Sequence, residues 1–271
     1  MPRRFVDKTV VITGASTGIG AACARRFAEE GANVVLAARG RAALEAVADE
    51  IGPRALAVPT DVAELDACRR LLTRAVERFG AVHVLVNNAG KNVRGHAEGI
   101  DAAELASIVD VNLRAPIFLT RLTLPLLRAA GGGAIVNVAS LAGYFPFAEE
   151  ATYSATKFGL RAFTHALADE LRGTGITASA VSPGPVDTNF IGGIDDVPDI
   201  AFSQPMSTDM EIAALVLDCA ADGKVERARP ASGALLATLA YLAPSLRRAT
   251  RPLLEKRGRR NKARFRAARE P

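Results

Sequence analysis

Between residues 8 and 182, short apolar runs alternate with stretches whose apolar residues recur at helical spacing. The runs at 8–13, 33–38, 54–59, 82–87, 134–139 and 176–182 are dominated by Val, Ile, Leu and Ala and read as strands. The stretches 15–30, 41–51, 65–79, 102–129 and 152–172 read as helices. In the third, Leu65, Cys68, Leu72, Val76 and Phe79 form one stripe, and Gly80 stops it, as Gly31 stops the first. Strands that are apolar throughout are strands covered on both faces. The alternation therefore predicts an α/β fold: a doubly wound, mostly parallel sheet of six or seven strands with helices on both sides.

Beyond residue 188 the pattern weakens. Residues 189–204 lack periodicity, carry paired glycines and prolines, and are expected to form a mobile loop. Thr208-x-x-Glu211 has the form of a capping box, opening a helix with Ile212, Leu215, Val216 and Cys219 on one face. Residues 223–229 are a weak, charged strand candidate. Leu235, Leu239, Leu242 and Leu246 then follow a helical stripe, and Pro244 is expected to restart a helix. The chain divides into a doubly wound α/β body, 1–232, and an amphipathic, basic helical extension, 233–271.

Charge sharpens that division. Residues 247–271 hold eleven basic and two acidic residues, net +9, leaving 23 basic and 27 acidic residues, net −4, for the rest. Two readings of the tail stay open. It packs as helices over the substrate pocket with a solvated basic end, or it contacts an anionic membrane surface. Phe265 is the only ring in the basic segment, so nucleic acid is not expected as a partner. Three scattered cysteines suit buried thiols better than disulfides or zinc, the three histidines share no ligand spacing, and no metal is expected. No signal-peptide pattern precedes the first strand, and no apolar run reaches the about 18–20 residues of a spanning helix. A cytoplasmic protein is expected, with membrane association only through the tail.

Thr13-Gly14-Ala15-Ser16-Thr17-Gly18-Ile19-Gly20 joins the first strand to its helix. Gly14 permits a sharp turn. Gly18 and Gly20 remove side chains where backbone would approach a pyrophosphate, and the helix start offers its amides to that anion. The second strand ends Ala37-Ala38-Arg39, with no acid to bond a ribose 2′-hydroxyl. Arg39 suits a 2′-phosphate, so NADP(H) is favoured over NAD(H). Asp61, after the third strand, could bond the adenine amino group or cap the next helix.

Tyr153 and Lys157 stand one helical turn apart, at i and i+4. A phenol with a pKa of about 10 is a poor base at neutral pH. A cation one turn away favours the phenolate and is expected to lower that pKa. Tyr153 then exchanges a proton with a substrate oxygen, while Ser140, ending the fifth strand, donates a hydrogen bond to the same atom.

Together with Asn87-Asn88-Ala89-Gly90, Asn112 and Pro183-Gly184-Pro185-Val186-Asp187-Thr188, these motifs make the chain resemble the short-chain dehydrogenase/reductase family over about residues 6–220. The resemblance implies a seven-stranded Rossmann sheet and a tetrad of Asn112, Ser140, Tyr153 and Lys157. In it, Asn112 holds a water linking Lys157 to solvent, and Lys157 reaches the nicotinamide ribose. Cofactor contacts are implied at Gly14, Ser16, Thr17, Gly18, Ile19, Gly20, Arg39, Asp61, Val62, Asn88, Ala89, Gly90, Tyr153, Lys157, Pro183, Gly184, Val186 and Thr188. Relatives associate through helices such as 102–129 and 152–172, so a homo-oligomer is expected. His83 replaces the acid many relatives carry before the fourth strand, a change expected to affect packing.

Tyr144, Phe145, Phe147, Phe190, Ile191, Phe202 and Met206 either line an apolar substrate cleft or anchor loops. The expected activity is hydride transfer between NADP(H) and a hydrophobic ketone or secondary alcohol. The competing expectation is an NADPH-binding scaffold or redox sensor tethered by its tail.

Overall fold

The structure, a computed structural model, describes residues 3–188, 190 and 197–267. Seven strands form one sheet: β1 (Thr9–Thr13), β2 (Asn33–Ala38), β3 (Ala55–Pro59), β4 (Val84–Asn87), β5 (Gly133–Val138), β6 (Ile176–Pro183) and β7 (Glu226–Arg229). Their order is β3-β2-β1-β4-β5-β6-β7 and every pairing is parallel. The weak charged run is thus a true edge strand, held by β6 alone.

The helices are α1 (Gly18–Glu29), α2 (Arg41–Ile51), α3 (Leu65–Phe79), α4 (Ala102–Val109), α5 (Ala115–Ala129), α6 (Ala151–Glu170), α7 (Asp209–Asp222), α8 (Ala231–Leu242) and α9 (Pro244–Ala267). Side chains alternate faces along each strand. Ile12, Leu36, Val86 and Val136 meet Phe27 of α1, Leu44 of α2 and Ile212 of α7. Val11, Val35, Leu85 and Ile135 meet Leu71 of α3, Leu119 of α5 and Leu167 of α6 on the opposite face. Each of these fully buried side chains contributes about 1.5–3 kcal/mol by leaving water.

Three expectations change. The first helix begins at Gly18 rather than at 15, because residues 14–17 are spent on the turn out of β1. The helix expected over 102–129 is broken: one π turn, Asp110–Arg114, separates α4 from α5. Inside it Asn112 is fully buried and bonds the Lys91 main chain twice, accepting from its amide at 2.7 Å and donating to its carbonyl at 2.8 Å. Such insertions re-aim one side chain without ending the helix. Part of the expected loop is ordered: residues 199–203 form a 3-10 turn, while residues 189 and 191–196, Ile191 among them, lie outside the described residues.

Other expectations hold. Thr208 and Glu211 form the capping box of α7, and Pro244 opens α9. His83 accepts the Thr9 amide on Nδ1 at 3.0 Å, tying the entry to β4 to β1 as an acceptor-bearing side chain should.

The strand order reverses between β1 and β4. The crevice outside their carboxyl ends is where a doubly wound sheet binds ligands.

Candidate active site

A cleft of about 1130 Å³ opens at that reversal. Of the proposed dinucleotide contacts it is lined by Gly14, Ser16, Thr17, Gly18, Ile19, Arg39, Asp61, Val62, Asn88, Ala89, Gly90, Pro183, Gly184, Val186 and Thr188. Ser140, Tyr153 and Lys157 line it too. Gly20 and Asn112 do not.

Gly20 is where the glycine argument needs correction. A Cβ there would overlap the carbonyl oxygen of Gly14, so this glycine closes the loop onto α1 rather than admitting a phosphate. Gly14 (φ +66°) is held from the other side: a Cβ would lie 2.8 Å from Nδ2 of Asn88. That amide donates to Thr13 O at 2.9 Å, and Thr13 Oγ1 accepts from the Asn88 and Ala89 amides, both at 3.0 Å. The double asparagine thus locks β4 to the glycine loop, while Asn87 bonds Asn137 of β5 at 2.8 Å. Gly18 (φ +53°) faces the side chain of Thr188 across the cleft mouth. Asp61 does not cap α3, which is preceded by Glu64; its carboxylate accepts the Ala63 amide at 3.0 Å and closes a turn.

Tyr153 and Lys157 are buried on one face of α6. The Ser140 side chain acts on the Tyr153 phenol, and its hydroxyl accepts the Ala142 amide at 3.1 Å. Burial pushes the Tyr153 phenol well above its ordinary range; Ser140 opposes this, Glu150 adds to it and Arg94 opposes it. Lys157, expected to lower that pKa, does not offset the effect of burial. Its ammonium lies 5.6 Å from the Tyr153 ring centroid, donates to the Val138 carbonyl at 2.9 Å, and is pushed down to about 8 by burial. Asn112 reaches the site from behind, donating to Thr156 Oγ1 at 3.2 Å, which donates to Tyr153 O at 2.7 Å.

The substrate side is partly as expected. Phe145, Phe147 and Phe190 line the cleft. Phe202 is instead buried against Phe265, Tyr144 lies under the Arg161 guanidinium, and Met206 is not part of the lining. One group went unforeseen. Glu150, three residues before Tyr153, is buried in the cleft wall and accepts from Arg94 at 2.6 Å and Asn92 at 3.0 Å. Its helical phase with Tyr153 was the available signal. Leu236 and Leu239 of α8 and Leu253 and Leu254 of α9 also line the cleft.

The tail is therefore packed over the pocket. Lys262 donates to the Val197 carbonyl at 2.7 Å and lies 3.5 Å from Asp199, while Asn261 donates to the Phe202 carbonyl at 2.9 Å. Among the described residues no helix is long and apolar enough to cross a membrane.

The sequence model described as "short chain dehydrogenase" matches residues 8–197 and ends before this tail, so the membrane-surface reading gains nothing from it. A ketoacyl reductase of Nostoc sp., HetN, is 42% identical over 185 residues, 67% of this chain and 64% of that protein. An uncharacterized oxidoreductase of Staphylococcus epidermidis is 33% identical over 70% of this chain and 82% of its own length. The crystal structure of 3-ketoacyl-(acyl-carrier-protein) reductase from Brucella melitensis complexed with NADH is similar with a TM-score of 0.77 and 31% identity, covering 82% of this chain and 96% of that one. With its parallel seven-stranded sheet and its glycine-lined cleft, the chain belongs to the short chain dehydrogenase family and is a nicotinamide-dependent oxidoreductase.

Proposed function

We propose that the protein transfers a hydride between NADP(H) and a hydrophobic ketone or secondary alcohol, with Tyr153 as proton donor and acceptor. The observation that carries this reading is the place of the Tyr153–Ser140 pair, in one cleft that joins a glycine loop to a wall of Leu and Phe side chains.

The glycine end fits a dinucleotide. Thr17 precedes α1 without a side-chain cap, and the first turn carries no acid, so the leading amides keep their capacity for a pyrophosphate. Arg39 stands exposed where a 2′-phosphate would lie, and this supports NADP(H), although the Brucella relative carries NADH. The bound nicotinamide supplies or accepts the hydride. Lys157, Asn88, Ala89 and Gly90 would hold its ribose, and Pro183, Gly184, Val186 and Thr188 its carboxamide. Ser140 donates to the substrate oxygen while Tyr153 gives it a proton in reduction or takes one in oxidation. Asn112, through Thr156, fixes the turn of α6 that carries Tyr153. The ketoacyl reductase activity named for two relatives supports 3-oxoacyl thioesters beside simple apolar ketones as candidate substrates. Val109 and Ile117, exposed near the π turn, support association of copies along α4 and α5.

The test is NADPH consumption with a panel of aryl ketones, cyclic ketones and 3-oxoacyl thioesters. Tyr153→Phe should lower turnover about 10²–10⁴-fold while NADPH binding, read by cofactor fluorescence, is retained. Tight NADPH binding by the wild type with no consumption across the panel would instead favour the scaffold reading.

A further inference from the structure

Arg161 and Glu226 form a many-partnered ion pair close to the site, and neither lines the cleft. Arg161 follows Lys157 by one turn of α6, and Glu226 begins the edge strand β7. The pair is bidentate: Nε to Oε1 at 2.7 Å and the second guanidinium nitrogen to Oε2 at 2.8 Å. Ser182 of β6 donates to Oε1 at 3.1 Å and His165 lies 2.9 Å from Oε2. Burial works against this carboxylate, yet Arg161, Tyr144 and His165 hold it down at about 2.

The remaining arm of Arg161 points toward the chemistry. It donates to the Gly143 carbonyl at 2.7 Å, and the guanidinium carbon stacks 3.5 Å from the Tyr144 ring centroid. Gly143 ends the short turn Leu141–Gly143 that Ser140 caps. The turn is pressed onto α6: a Cβ on Gly143 would stand 2.7 Å from the Lys157 carbonyl and 2.8 Å from Cδ of Arg161. Because Ser140 Oγ already accepts the Ala142 amide, its single proton is left for the substrate oxygen beside Tyr153. Moving the turn therefore moves that proton.

We infer that Arg161 and Glu226 are positioning residues, clamping the Leu141–Gly143 turn so that the Ser140 hydroxyl is held beside Tyr153 and aimed at the substrate oxygen. The inference rests on the proposed roles of Ser140 and Tyr153. Arg161 needs all three contacts at once, the fork to Glu226, the carbonyl of Gly143 and the ring of Tyr144. A lysine keeps the charge but has neither the planar fork nor the stacking face.

The experiment is a double-mutant cycle on NADPH-dependent reduction of whichever panel ketone the wild type turns over fastest. Arg161→Lys, and independently Glu226→Gln, should lower kcat about 10–100-fold, the scale set by small misplacements of a reacting group, with KM and NADPH affinity unchanged. In a Ser140→Ala background the same changes should cost less than about twofold more, since the group they aim is gone. Equal losses in the two backgrounds, a loss confined to KM, or no loss at all would overturn this inference and leave the proposed reaction standing. Full activity of Ser140→Ala alone would overturn the proposed role of Ser140 and this inference with it.

Discussion

Gly258 of α9 lies directly on the main chain of Asp199, so close that a Cβ would overlap the Asp199 carbonyl oxygen. The contact lets a basic helix cross the 3-10 turn Asp199–Ser203, which forms part of the cleft wall. Helix propensity and packing make opposite predictions here. Gly→Ala inside a helix normally stabilises by about 1 kcal/mol. At this position the methyl meets backbone, and forced overpacking typically costs about 1–3 kcal/mol. Gly258→Ala is expected to lower the melting temperature, to raise KM for apolar ketones and to leave NADPH affinity unchanged. A higher melting temperature with unchanged KM would mean that α9 does not hold the cleft wall.

Lys157 gives a pH-dependent prediction with a defined sign. Its ordinary pKa of 10.5 falls to about 8 in the fold, with burial as the cause. A depressed amine binds fewer protons folded than unfolded between those values, so its stability contribution is present above about 10.5 and is lost as pH falls to about 8. At neutral pH the cofactor-free protein thus carries a buried ammonium at a cost. Lys157→Met removes it. The variant should melt higher than the wild type at pH 7, and the gap should close as pH rises from about 8 toward 10. The measurement is thermal unfolding of both proteins without nucleotide across that range. A gap independent of pH would show that Lys157 is not titrating as its burial dictates. Turnover should be lost in the variant throughout.

Much of this architecture was legible because apolar runs and helical stripes are local. The six clear strands and their covering helices follow from side chains that must leave water, and the order of motifs placed Ser140, Tyr153 and Lys157 around one cleft. What was not legible depended on distant partners. The stripe over 102–129 runs unbroken, yet Asn112 meets the Lys91 main chain and a π turn results. Glycine spacing marked Gly20 without saying which neighbour its missing side chain faces, and that neighbour is Gly14 rather than a ligand. Nothing local marks the role of Gly258 in the basic run, because its partner, Asp199, lies far upstream, in a segment without periodicity. Arg161 was in phase with Lys157, but only the pairing of β6 with β7 brings Glu226 to it.

In the proposed reaction, cofactor choice turns on the end of β2. Ala38 pairs with Pro59 at the margin of the sheet, and Arg39 follows, exposed and lining the cleft beside Gly40 and Asp61. A guanidinium there meets a 2′-phosphate with paired N–H groups, whereas a carboxylate would repel the phosphate and accept from a free 2′-hydroxyl. Arg39→Asp should therefore shift the ratio of kcat/KM for NADPH over NADH toward NADH by at least about tenfold, the equivalent of one charged hydrogen bond of about 1.5–3 kcal/mol. The loss should fall on KM for NADPH, because in the proposed binding mode position 39 would contact the adenosine half and not the reacting atoms. Asp61 already places one carboxylate at this end of the cleft, so a second at 39 should weaken NADPH further through like-charge repulsion. Initial rates with both cofactors on wild type and Arg39→Asp decide the matter: an unchanged ratio would remove Arg39 from 2′-phosphate recognition and leave the preference for NADP(H) without a residue to carry it.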